Sequence, residues 1–121
     1  MSTSDEAGVQ AVDEARESFV DLLPMGPDIE LRRMFGTLAA LVDGHVFALV
    51  LGDQIGVKVG EAGRSELSRM PGSAPLLLGG RPMVSFPALP PGLDDDEVHA
   101  WLSRARDHVV AHPPQPRRRR R

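Results

Sequence analysis

Three cations sit beside stretches of strand character: Arg33 at the head of one apolar run, Lys58 at the end of another, and Arg81 in the turn-like Gly79-Gly80-Arg81-Pro82. Brought together, they would form an anion site on an otherwise acidic protein, because convergent positive groups raise the local potential. Kept apart, each would answer one of the 17 acidic residues in a separate salt bridge of small energetic weight. A second group of charges, Asp94-Asp95-Asp96-Glu97, has the oxygen donors that calcium or magnesium prefers. The same four residues also suit the start of a helix, where Asp caps and carboxylates meet the positive end of the dipole, and this reading accounts for each of them without a metal. His108 and His112 are four apart, a spacing that can put two imidazoles on one ion. With no cysteine in the chain and His99 too far back to join, they read as boundary residues near a helix end.

Nucleophilic chemistry finds no foothold. Ser65, Ser68, Ser85 and Ser103 lie outside any nucleophile-elbow pattern, and the glycines form no phosphate loop. The expectation is a non-catalytic protein with no cofactor and no metal. The absence of cysteine excludes disulfides, thiolate zinc sites and cysteine nucleophiles. Five of the 14 basic residues are Arg117, Arg118, Arg119, Arg120 and Arg121. Setting them aside leaves 9 basic residues against 17 acidic ones, a net charge of −8 for the rest of the chain. The terminal arginines have three readings: a nucleic-acid or anionic-surface contact, with Arg32 and Arg33 as supporting cations, a tail folded back on the acidic body, or a terminal feature with little function.

The elements that must position these residues follow from hydrophobic period and turn chemistry. Apolar residues at helical spacing from Val9 predict a helix ended by Pro24, Gly26 and Pro27. Asp28 to Arg32 reads as a charged link. Three antiparallel strands are predicted at about Met34–Val42, His45–Leu51 and Gln54–Val59, joined at Asp43-Gly44 and Gly52-Asp53, both suited to two-residue hairpin turns. A short helix over Glu61–Met70, two short strands at Leu76–Leu78 and Met83–Phe86 around Gly79-Gly80-Arg81-Pro82, and a helix from Leu93 to Ala111 complete the chain. The sequence predicts an α+β fold in two layers, with one antiparallel sheet of about five strands, helices on one face, and the order α-β-β-β-α-β-β-α. Residues 1–8 are expected to be flexible, 9–112 to form one domain, and 113–121 to be a disordered Pro/Arg tail. The polar, acidic start is unlike a signal peptide, and no apolar run approaches the roughly 20 residues of a membrane span, so a cytoplasmic protein is expected.

Read in order, Arg33-Met34-Phe35-Gly36, Val42-Asp43-Gly44, Phe47-Ala48-Leu49, Val57-Lys58-Val59, Gly80-Arg81-Pro82-Met83 and Trp101 resemble the TfoX N-terminal domain family over roughly Asp13 to His112. Arg33, Lys58 and Arg81 each fall on a position matching that pattern. The layout is also similar to that of bacterial secretion chaperones. The founding member of the family regulates natural competence in bacteria and carries a second, helical domain. The present sequence instead ends in prolines and arginines and is expected to be the first domain alone. It also has no tyrosine after Arg81-Pro82-Met83, where relatives often have aromatic residues; Phe86 is the nearest substitute. The resemblance implies a regulatory or protein-binding role.

Partner surfaces follow from the central strand. Val46, Ala48 and Val50 alternate with Phe47, Leu49 and Leu51, so both faces are apolar. Helices on one side leave the other to be covered. The expectation is a homodimer through the sheet or its edge, or another protein partner, with no membrane contact. The alternatives are a nucleic-acid accessory protein acting through Arg117–Arg121 with Arg32 and Arg33, and an enzyme with an uncharted site around Arg33, Lys58 and Arg81.

Overall fold

The computed structural model describes residues 14–24, 26–34 and 36–112. The terminal segments predicted to lack structure, including Arg117–Arg121, lie outside these residues. Helix α1 covers residues 14–22 and lays Phe19 into the core, followed by Leu23 just past its end, with Ala15 and Leu22 packed alongside. Pro24 comes directly after. Strands β1 (Ile29–Met34), β2 (Thr37–Val42), β3 (His45–Leu51) and β4 (Gln54–Val57) then form an antiparallel meander in the order β1-β2-β3-β4. The turn between β2 and β3 is Asp43-Gly44, with φ of 51° and 83°. Two successive positive φ values match the twist of paired strands, and Asp and Gly are among the few residues that tolerate them.

Helices α2 (Gly60–Ser68) and α3 (Asp95–Ala111) join α1 on one face of the sheet. There Leu67, Leu102, Ala105 and Val109 pack with Ala40, Val42, Ala48, Val50 and Val57. No helix of the described residues is long and apolar enough to cross a membrane. The α+β class, the helix-bearing face and the order of elements agree with the sequence reading.

Four details differ. The stretch expected to be a charged link is most of β1, because Ile29 and Leu31 alternate with Glu30 and Arg32 and pair with Val42, Ala40, Leu41 and Ala39. The first predicted strand is thereby split at a turn containing Gly36. The late strands are two residues each, β5 (Leu77–Leu78) and β6 (Arg81–Pro82), and pair only with each other as a separate hairpin. Residues 83–86 have no strand structure. Finally, the strict alternation along β3 is broken. The register steps from Ala40↔Ala48 to Leu41↔Val46, so Phe47 is the extra residue of a β-bulge. The bulge turns Phe47 to the helix face beside Ala48, while Val46 goes to the opposite face with Leu49 and Leu51.

That opposite face is covered by the chain itself. Residues 72–90 run back across it as a strap, with Leu76 and Ala88 buried against Ala39, Leu41 and Leu49, and Met83 and Phe86 at the rim. The strap fits closely at Gly56, where a Cβ would collide with the Leu76 side chain and press on Phe86 at 3.4 Å. The apolar face that pointed to a second subunit over β3 is thus filled from within.

Candidate functional site

The three cations singled out by sequence do not converge. Arg33 is on β1, at one border of the sheet, opposite Leu38. Lys58 follows β4 at the other border, its amide donating to the Phe47 carbonyl at 2.9 Å. Two strands lie between those borders, a separation of roughly 14 Å across the sheet alone. Arg81 is exposed on the β5–β6 hairpin, within the strap segment over the face away from the helices. The strand order separates residues that sequence could only place near strands. Arg33 instead shares a cavity of about 90 Å³ with Arg16, Thr37 and Leu38, well below the size of a typical ligand pocket. The Arg16 Nε is buried there without a hydrogen-bond partner, and the Thr37 hydroxyl donates to the Val50 carbonyl.

Arg32 and Arg33 do not make a common basic patch either. As neighbours in a strand they point to opposite faces, and Arg32 is engaged by Glu30 at 2.9 Å. The acidic run is a helix cap. The Asp94 carboxylate accepts from the Glu97 amide at 2.8 Å, and the Glu97 carboxylate accepts from the Asp94 amide at 3.1 Å. His108 and His112 stack with ring centroids 4.7 Å apart, and His99 Nδ1 meets the Leu22 carbonyl at 2.7 Å. Among the described residues no group of three or more metal-ligating side chains gathers. His108 lies against Gly60, where a Cβ would come within 2.5 Å of its ring. Burial there holds its pKa below the ordinary value, helped by the positive charges of His112, Lys58 and Arg104.

Sequence reasoning named the sheet or its edge as a partner surface but not the strand that forms that edge, because it read residues 28–32 as a link. At β4 the border is closed: the Val57 amide donates to the Pro87 carbonyl at 3.0 Å, and the Leu89 amide to the Ile55 carbonyl at 2.8 Å, around a Gly56↔Ala88 bridge. At β1 it is open among the described residues. The Asp43 amide donates to the Asp28 carbonyl at 3.3 Å. Antiparallel pairs alternate between bonded and non-bonded, so residues 30, 32 and 34 also turn their backbone groups toward β2. Ile29, Leu31 and Arg33 turn theirs outward. Leu31, at the centre of the strand, is 41% exposed. The signal was present in the sequence as the short alternation of Ile29 and Leu31 with Glu30 and Arg32. It was obscured because half of the segment is charged.

An exposed row of amides and carbonyls can bind another extended chain by main-chain hydrogen bonds, with alternate side chains supplying selectivity. No curated protein matches the sequence. The TfoX N-terminal domain model matches residues 21–109, a span that takes in the last two residues of α1, the whole four-stranded sheet, the strap and nearly all of α3. With that much of the fold inside the match, the chain belongs to the TfoX N-terminal domain family.

Proposed function

We propose that this domain is a non-catalytic regulatory module that recognises other protein chains through the edge of β1, which is open among the described residues. The observation that carries the reading is the asymmetry of the sheet. One border is sealed by residues 87–89, whereas the other presents the outward backbone groups of Ile29, Leu31 and Arg33 with a half-exposed leucine among them. Strand addition at such a border needs no reacting group and no preformed pocket. The regulatory part of the reading rests on family membership and on the role of the family's founding member.

Leu31→Pro tests it. The Leu31 amide points away from β2, so proline removes an outward donor while leaving the β1–β2 ladder intact, which is the setting in which edge strands tolerate proline. Full-length wild type and Leu31→Pro are compared as baits in native lysate after circular dichroism confirms that both are folded. Protein bound by wild type and lost from the variant supports the reading. Protein retained equally by both, or nucleic acid captured independently of Leu31, overturns it.

A further inference from the structure

We infer that the β1 edge binds a second copy of this chain, added antiparallel about a two-fold axis at Leu31. The inference rests on the reading of that edge as an interaction site and names its occupant. Two features of the strand select this partner and this register.

Backbone geometry comes first. Ile29, Leu31 and Arg33 carry the outward donors and acceptors, so an antiparallel copy must set its own outward residues opposite them. With the axis at Leu31, Leu31 faces Leu31 of the second copy, and Ile29 faces Arg33 of the second copy. All three outward residues of each strand then exchange bonds. Leu31 gains an apolar neighbour for its exposed side chain.

Charge then fixes the register. In this alignment Glu30 stands opposite Arg32 of the second copy, and Arg32 opposite its Glu30. Both are non-bonded pairs, the positions at which facing side chains approach most closely. The Glu30–Arg32 ion pair already formed within one strand places the two groups on the same face, both half-exposed. The dimer would join two such pairs into an alternating four-charge cluster. Moving the axis one residue toward Glu30 sets Glu30 against Glu30. Moving it one residue toward Arg32 sets Arg32 against Arg32. A parallel arrangement brings like charges together at both positions. Only the Leu31-centred antiparallel register satisfies both the backbone and the charges. It also supplies local attraction between bodies whose net charge, apart from the terminal arginines, is −8 each.

The experiment is sedimentation equilibrium of the full chain over a wide concentration range, at low and high salt, with four proteins: wild type, Glu30→Arg, Arg32→Glu and the double exchange Glu30→Arg/Arg32→Glu. Each single reversal turns both cross-strand pairs repulsive and is expected to raise the dimer dissociation constant at least about tenfold. The double exchange restores complementarity and recovers the dimer. An equimolar mixture of the two single variants forms a mixed dimer, although each alone is a monomer. Glu30 and Arg32 are solvent-exposed, so the variants fold, and thermal melts check this. A wild-type monomer at every concentration overturns the inference, and so does a dimer indifferent to both reversals. In either case, retained Leu31-dependent capture of another protein shows that the edge binds chains other than this one. Loss of that dependence as well removes the reading of the edge altogether.

Discussion

Asp94→Ala separates a helix cap from a metal site and gives a magnitude that can be worked out from the structure. The substitution removes the 2.8 Å bond from the Glu97 amide to the Asp94 carboxylate and leaves the reciprocal 3.1 Å bond without its counterpart. Loss of an Asp cap costs about 1 kcal/mol. Loss of a negative charge at the positive end of the helix adds about 0.5 kcal/mol. The total is about 1.5 kcal/mol, or a melting temperature lower by about 5–10 °C for a domain of this size. The penalty falls on the whole fold because α3 contributes Leu102, Ala105 and Val109 to the core, so its first turn cannot fray without cost. Asp94→Asn keeps a side-chain acceptor and should lose only a few tenths of a kcal/mol, about as much as Asp95→Ala, which affects the dipole alone. The assay is urea denaturation followed by far-UV circular dichroism, repeated with millimolar calcium or magnesium. Equal costs for Asp94→Ala and Asp95→Ala would refute the capping argument. So would a divalent cation that stabilises wild type but not Asp94→Ala.

Two further outcomes follow from packing and ionisation. Gly56→Ala should destabilise the fold by about 1–3 kcal/mol, since the new methyl group overlaps Leu76 and presses on Phe86; a urea midpoint unchanged from wild type would mean that the strap is not tightly seated. His108, held below the ordinary histidine pKa in the folded state, leaves the unfolded chain to take up the proton first as pH falls. Its contribution is complete above about pH 6.5 and is lost as pH drops from there toward the folded-state value. His108→Gln should flatten this acid-side decline in denaturation midpoints, and an identical slope in both proteins would show that other groups carry it.

The parts of the fold that sequence conveyed are those encoded within a few residues. Asp43-Gly44 announces its turn because few other pairs accept two positive φ values, and Asp94 with Glu97 announces the start of α3 because the cap is a contact across three positions. The parts that stayed hidden depend on what lies alongside. β1 is a strand because Val42, Ala40 and Leu38 stand beside Ile29, Leu31 and Arg33; read alone, its three charges mask its three apolar residues. The side chosen by Phe47 is set by a register step between two strands, and no local pattern records that step. The candidate site suffered in the same way. Sequence put Arg33, Lys58 and Arg81 beside strands; the structure puts Arg33 within β1, Lys58 just past β4 and Arg81 in β6, and their mutual distance is a property of strand order. The border of β1, open among the described residues, stands out by contrast with the other border, which Pro87 and Leu89 occupy.

Occupation of the β4 border by residues 87–89 also bears on how assembly ends. A sheet with two free borders can recruit copies one after another, each leaving a fresh border for the next, and such growth runs to a filament unless rotation closes it into a ring. In the inferred dimer, strand addition at β1 uses the border that is open among the described residues, so a symmetric pair would be a terminus. The strap is in this sense a chain stopper. A variant that lifts it off β4, as a bulky side chain at Gly56 would, unseals a second adhesive border on a folded sheet. Its hazard is therefore polymerisation as much as unfolding, and fibrils growing from the native-like state would be the sign that the stopper had been removed.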